Sequence, residues 1–492
     1  MFRAVTLGLS LLAGLLLSPL VAAQTDPEAA LQLTDCRISA GPGSPGIAAR
    51  CGTLVRPLDP DDASLGTIDL RVAVVPALSL EPANDPFVPI AGGPGQSTIA
   101  FYAGWYPAFE RVRQHRDILL IDQRGTGDSA AMVCDIEEDV VDGTFSEQRT
   151  RELTQECLDL LPHDPRFFTT SAAIRDLEAL RLALGYDAFN VYGISYGTRV
   201  AQHFARRYPD ATRTVIIDGV VPPQLSLGPD IATESQNAID NVFARCIEVA
   251  ACNERFPNIR DDFLLLRGAL AEAPVTVEYQ HPVSGQRDVI DFTADHLAAA
   301  IRLLLYNPRT VALLPLVISD AADGNFAPLA AQFNMVVDSL SESLNIGMHN
   351  AVMCTEDVPF IAWDLLDDEA INASYMGPMQ LEAMKTMCSI WPPGLLDDDL
   401  RLPLATDKPV LLLSGGADPI TPARFAELAA VDMSNSWHIV GENQGHGLAV
   451  VGCMPRIISE FIADAALVDG AAECLDSAFV MPFFIDYTGP MP

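Results

Sequence analysis

The sequence predicts an α/β fold, a mostly parallel, doubly wound sheet carrying an inserted, mainly helical segment, and three observations carry that prediction. First, β-rich apolar runs without polar alternation recur at "GTIDLRVAVV", "FVPIAGGPG", "RDILLIDQRG", "FNVYGIS", "TRTVIIDGV", "KPVLLLSGGAD" and "SWHIVGENQGHG". Runs of this kind are strands covered on both faces. Second, helical stretches such as "SAAIRDLEALRLALGY" and "TRVAQHFARRYPD" lie between several of them. Alternation of β and α implies parallel strands joined by helical crossovers. Third, the alternation stops after Val220, gives way to helical patterns with one hairpin-like interruption at "VTVEYQHPVSGQRDVIDFT", and resumes at Lys408. A chain of 492 residues exceeds the usual size of one core. The expected division is a first core part at 24–222, a cap at 223–402 and a second core part at 403–492.

The first 23 residues have a lone Arg3, an apolar run from Leu7 to Leu17 and a small-residue end at Val21-Ala22-Ala23. That pattern is expected of a secretory signal peptide at 1–23 with cleavage near Ala23, and the run is short for a membrane span. No later segment is apolar for long enough to cross a bilayer, so the expected location is secreted or periplasmic.

Export changes the meaning of the ten cysteines, which fall in five close couples. In an oxidising compartment these suggest disulfides. Sequential pairing, Cys36–Cys51, Cys134–Cys157, Cys246–Cys252, Cys354–Cys388 and Cys453–Cys474, would close short local loops, although spacing alone leaves connectivity open. There is no C-x-x-C and no cysteine couple with histidines at ligand spacing, so neither a metal nor a cofactor is expected. A formal net charge of −35, with only Lys385 and Lys408 among thirty basic residues besides arginine, argues against nucleic acid or an anionic membrane as partner.

The chemistry begins at "FNVYGISYGTRVAQHF", where a strand runs into Gly193-Ile194-Ser195-Tyr196-Gly197 and a helix follows directly. In such an elbow the apical Ser195 is strained and exposed at a helix N-terminus, and the flanking glycines let neighbouring chain pass. A serine hydroxyl needs a base to take its proton and an acid to orient that base. On this scaffold both come later in the chain, after late strands. Asp418 follows "LLLSGGAD" and His446 follows "WHIVGENQGHG", flanked by Gly445 and Gly447. His438 is a strand residue and a poorer base, and Asp218 in "VIIDGVV" is the alternative acid. The oxyanion of a tetrahedral intermediate needs donors. Expected donors are the backbone N–H groups of Tyr196, after the nucleophile, and Gly93 in "IAGGPGQS".

The ordered set "GGPGQS", "DQRGTGDS", "GISYGT", "GGADPITP" and "NQGHG" resembles the serine exopeptidases of the proline iminopeptidase and tripeptidyl aminopeptidase (TAP-like) type, most strongly over 88–220 and 408–450. The resemblance implies an α/β-hydrolase core with a helical cap, a triad of Ser195, Asp418 and His446, and a structural loop beside the site containing Asp122 and Arg124. It also implies peptide substrates shortened from the amino end, by tripeptides or single residues. One departure is visible at Ala91, where proline iminopeptidases usually have histidine, which weakens strict proline specificity. A substrate ammonium entering a poorly hydrated site requires a carboxylate. Glu356 and Asp357 in "NAVMCTEDVPF", beside Cys354, are the expected pair, and the TAP-like members carry a similar cysteine and acidic pair. A carboxylesterase on small esters is the alternative function, and a non-catalytic binding protein the third.

Overall fold

A computed structural model describes residues 31–41, 43–134 and 146–490; the signal peptide expected at 1–23 lies outside them. Eleven strands are present among the described residues: β1 (Thr34–Ile38), β2 (Ile47–Asp59), β3 (Asp62–Val75), β4 (Ala83–Ile90), β5 (Arg116–Ile121), β6 (Phe189–Ile194), β7 (Thr212–Asp218), β8 (Val275–Gln280), β9 (Arg287–Phe292), β10 (Val410–Gly415) and β11 (Ser436–Gly441). Nine form one sheet in the order β1-β2-β3-β5-β4-β6-β7-β10-β11, and β8 pairs with β9 as a separate hairpin. Pairings from β5 through β4, β6, β7 and β10 to β11 are parallel. Those from β1 to β3 and on to β5 are antiparallel.

Most strands with unalternating apolar sequence are central, but β11, the strand of "SWHIVGENQGHG", forms the sheet edge and is only partly buried, contrary to the expectation of cover on both faces. Every residue of β6 and of β10 is buried, because helices cover both faces. One face packs Leu177 and Leu180 of the helix Thr170–Leu184 and Val200 and Phe204 of the helix Tyr196–Arg207. The other packs Tyr102 and Phe109 of the helix Thr98–Arg113 and Ile457 and Phe461 of the helix Met454–Asp464. β1, β2 and the first half of β3 were not expected, since their polar alternation reflects a sheet end with an exposed face.

The insertion has its own core, with Phe243, Phe263, Leu304 and Phe333 at its centre. The path of the chain and the packing divide differently, however. Met348, Val352, Cys354 and Trp391, all inside 223–402, pack with the sheet-side cluster. Phe483, far beyond 402, packs with the cap. The ten cysteines form the five sequential disulfides Cys36–Cys51, Cys134–Cys157, Cys246–Cys252, Cys354–Cys388 and Cys453–Cys474. Among the described residues no helix is long and apolar enough to cross a membrane.

Candidate active site

Ser195 stands between the end of β6 and the first residue of the following helix, with φ 54° and ψ −126°. That left-handed φ is costly for a residue with a side chain and persists only where the surroundings impose it. The flanking glycines show the imposition. A Cβ on Gly193 would lie 2.2 Å from Gly197 O, and one on Gly197 would lie 2.4 Å from Ile90 O. Ser195 N–H donates to Asp218 O at 2.9 Å, which ties the apex to the end of β7.

Asp418 and His446 follow β10 and β11, neighbours in the same sheet. His446 Nδ1 lies 2.7 Å from Asp418 Oδ2. The remaining capacity of that carboxylate is filled by Ile420 N–H at 2.9 Å, Thr421 N–H at 3.0 Å and the Thr421 hydroxyl at 2.7 Å. Burial alone would raise the proton affinity of Asp418, but the His446 imidazole and these donors outweigh it and hold the carboxyl below its ordinary value. For His446 the sign is opposite: burial disfavours the imidazolium, the Asp418 carboxylate overrides burial, and its pKa is raised. The glycines beside it are sterically required, since a Cβ on Gly445 would lie 2.4 Å from Tyr306 O and one on Gly447 2.5 Å from Trp105 Cη2.

Asp218, the alternative acid, has another task. Its carboxylate accepts from Leu448 N–H at 2.8 Å, Ala449 N–H at 2.9 Å and the Tyr192 hydroxyl at 2.9 Å. It therefore anchors the loop that carries His446. His438 bonds Ser414 on the neighbouring strand at 3.0 Å.

The loop after β4 reaches the nucleophile, because a Cβ on Gly92 would lie 3.0 Å from Ser195 Cβ. Gly93, next in that loop, has φ +104°. Tyr196 is the first residue of its helix, where a backbone N–H has no intrahelical acceptor. The cap holds this region directly. Asn345 N–H donates to Gly95 O at 3.0 Å, His349 Nδ1 lies 3.2 Å from Pro94 O, and His446 N–H donates to Tyr306 O at 2.9 Å.

Two family models match the chain. Residues 85–242 match the α/β-hydrolase fold and residues 373–474 match the TAP-like protein family. The chain is a serine hydrolase of the α/β-hydrolase fold, with a TAP-like match over residues 373–474. It is 24% identical to serine protease Hip1 of Mycobacterium tuberculosis over 90% of this chain and 91% of that one. It is 25% identical to tripeptidyl aminopeptidase of Streptomyces coelicolor over 78% of this chain and 74% of that one.

In this hydrolase the loop "DQRGTGDS" is structural. Asp122 accepts from the Ser97 hydroxyl at 2.7 Å and Ile99 N–H at 3.0 Å, fixing the helix that follows the loop of Gly93. Arg124 is fully buried and forks onto Asp176 at 2.7 and 2.9 Å.

The expectation for Glu356 and Asp357 requires correction. Both side chains are completely buried and already have partners in the protein. Arg199, one turn into the elbow helix, pairs with both oxygens of Asp357 at 2.8 Å each, in the role expected of a substrate ammonium. Glu356 accepts from Thr170 N–H at 2.7 Å and the Thr170 hydroxyl at 2.8 Å, and Thr170 Oγ1 lies 2.7 Å from the Tyr196 hydroxyl. The pair thus supports the elbow from beneath. Arg199, Thr170 and Thr421 were not foreseen; an arginine among the apolar residues of the elbow helix was the available signal, since a buried guanidinium demands carboxylates.

His203, Asp397 and Asp399 offer ligand atoms within 4.8 Å of one another. Arg175 and Arg207 pair with Asp397 at 3.1 and 2.8 Å, and Arg207 with Asp399 at 3.4 Å, so the cluster is an ion-pair network joining three segments.

Proposed function

We propose that the hydrolase is a secreted serine peptidase that shortens short peptides from the amino end through an acyl-enzyme. The observation that carries this reading is the His446–Asp418 hydrogen bond beside the strained Ser195 elbow. The relatives named serine protease and tripeptidyl aminopeptidase support the choice of peptide over ester. Export is supported by the five disulfides and by the leader pattern at 1–23.

In this mechanism Nδ1–H of His446 donates to Asp418, which leaves Nε2 free to take the Ser195 proton as Oγ attacks the carbonyl carbon. Asp418 stabilises the imidazolium without itself becoming protonated. The backbone N–H groups of Tyr196 and Gly93 receive the oxyanion. The imidazolium then protonates the leaving amine, and water attacks the acyl-enzyme with His446 again as base. Cap contacts at Gly95, Pro94 and His446 support preference for peptide ends over folded chains.

Ser195→Ala should lose labelling by a fluorophosphonate probe and nearly all turnover while remaining folded. Labelling that survives would assign the nucleophile elsewhere. Paired peptides with free and acetylated amino ends, alongside small esters, test the rest. Equal kcat/KM for the two peptide forms would remove the exopeptidase reading, and turnover of esters alone would replace it with a carboxylesterase.

A further inference from the structure

The cap places a cation next to the catalytic histidine. Arg302 lies in the last turn of the helix Ala294–Leu304, one turn before Tyr306. Its guanidinium carbon is 5.9 Å from the Tyr306 ring centroid, and Nη2 is 3.4 Å from the Tyr306 hydroxyl. The same ring stands edge-on to the His446 imidazole at 5.3 Å. Arg302, Tyr306 and His446 therefore form one wall.

That cation lacks a counter-charge. In a chain with 65 acidic and 30 basic residues, Arg124, Arg175, Arg199 and Arg207 each pair with a carboxylate. Arg302 forms no ion pair among the described residues, and its Nε is buried with no hydrogen-bond partner. A half-buried guanidinium with an empty donor is unfavourable unless something fills it. Its field also opposes catalysis, because its charge disfavours the imidazolium form of both His446 and His349. A bound carboxylate would supply the missing acceptor and cancel that field when the His446 proton is needed. Ala294 and Asp295, at the start of the helix that carries Arg302, line with Tyr375 a cavity of about 840 Å³ whose wall holds three cations, Arg151, Arg267 and Lys385, and three acids, Glu147, Asp295 and Glu382.

We propose that Arg302 is a specificity-determining anion subsite of this catalytic centre, and that preferred substrates are peptides presenting a carboxylate to its guanidinium. The proposal rests on the peptidase reading. The carboxylate has two possible sources, an acidic side chain or the free carboxyl terminus of a short peptide. A guanidinium fork matches either one.

The test compares kcat/KM within two matched pairs of short peptides. One pair has Glu against Gln with an amidated terminus, and the other has a free against an amidated terminus with neutral side chains. Wild type should favour the carboxylate member of at least one pair by about tenfold or more, and the pair that responds identifies the source. In Arg302→Met the ratio should fall to near one, while Arg302→Lys should retain part of it. Raised salt should weaken the wild-type preference. Wild-type ratios near one in both pairs overturn the proposal, as does an Arg302→Met variant that loses charged and neutral peptides equally. If wild type cleaves no peptide, the peptidase reading fails separately. Protection of Ser195 from fluorophosphonate by the same peptides then decides the subsite: carboxylate members should slow labelling more than their neutral partners in wild type, and equal protection refutes it.

Discussion

His446 Nδ1 lies 2.7 Å from Asp418 Oδ2, and in the proposed mechanism this bond, rather than any contact with Asp218, orients the base. It implies a pH profile. A protonated imidazole cannot accept the Ser195 proton, so kcat/KM must rise as pH increases through the His446 pKa. Asp418 raises that pKa above its ordinary 6.5, so the midpoint of the acid limb should lie above 6.5. Asp418→Asn should lower the midpoint and reduce kcat by roughly a thousandfold or more. An unchanged midpoint in the variant would remove Asp418 from the assignment.

Asp218→Asn should fail differently. An amide offers one acceptor oxygen where the carboxylate now serves Leu448 N–H, Ala449 N–H and the Tyr192 hydroxyl. Leaving a buried donor unpaired costs about 1–3 kcal/mol, and the loop carrying His446 loses its anchor. The expected result is a lowered denaturant midpoint with a smaller fall in kcat than in Asp418→Asn. A larger fall in kcat without loss of stability would exchange the roles of the two acids.

Gly197→Ala tests the elbow through packing alone. The added methyl would sit 2.4 Å from Ile90 O and 2.6 Å from Ala91 O. Those oxygens belong to the end of β4 and the start of the following loop, so relief requires β4 and the helix to separate. Overpacking of this kind costs about 1–3 kcal/mol, and fluorophosphonate labelling of Ser195 should slow along with it. A variant with wild-type stability and labelling would show that the turn does not need glycine here.

What the sequence made legible follows from these constraints. Ser195, Asp418 and His446 could be singled out because each follows a strand, fully buried for Ser195 and Asp418 and partly buried for His446, and two of them lie between glycines that no other residue can replace without a clash. The five couples of cysteine were readable from proximity along the chain. The antiparallel end of the sheet was not, because the alternation of β2 resembles that of an isolated surface hairpin. Nor was the use of Glu356 and Asp357, whose partners Thr170 and Arg199 lie 186 and 158 residues away. Long-range ion pairs leave no local periodicity. The same holds for Tyr306, which meets His446 only through the fold.

The disulfide Cys354–Cys388 closes a 34-residue loop and ties the segment Met353–Asp357 to the helix Met379–Cys388. A loop of that length is worth about 4 kcal/mol in chain entropy. Replacing both cysteines by alanine should lower the urea midpoint accordingly. It should also slow Ser195 labelling, because Asp357 in the same segment holds Arg199 of the elbow helix. Lost stability with unchanged labelling would separate the disulfide from the site.

The last expectation concerns Glu356, whose buried carboxyl is shifted from 4.5 to about 7. Burial is the main cause; Asp357 adds to it, while Arg199 and the two bonds from Thr170 offset it. Because the folded-state pKa exceeds the unfolded one, the folded protein binds the proton more tightly between those values. The contribution to stability is therefore full below about 4.5 and is lost as pH rises through about 7. Across that window it amounts to roughly 3 kcal/mol. Glu356→Gln mimics the protonated side chain, since one amide group can accept from Thr170 N–H and donate to Thr170 Oγ1. The variant should match wild type near pH 5 and be more stable than wild type near pH 8. Other groups titrate equally in both proteins, so the difference in Tm between them isolates this carboxyl. A difference that stays constant from pH 5 to pH 8 would mean that Glu356 remains ionised in the folded protein, with Arg199 serving both acids.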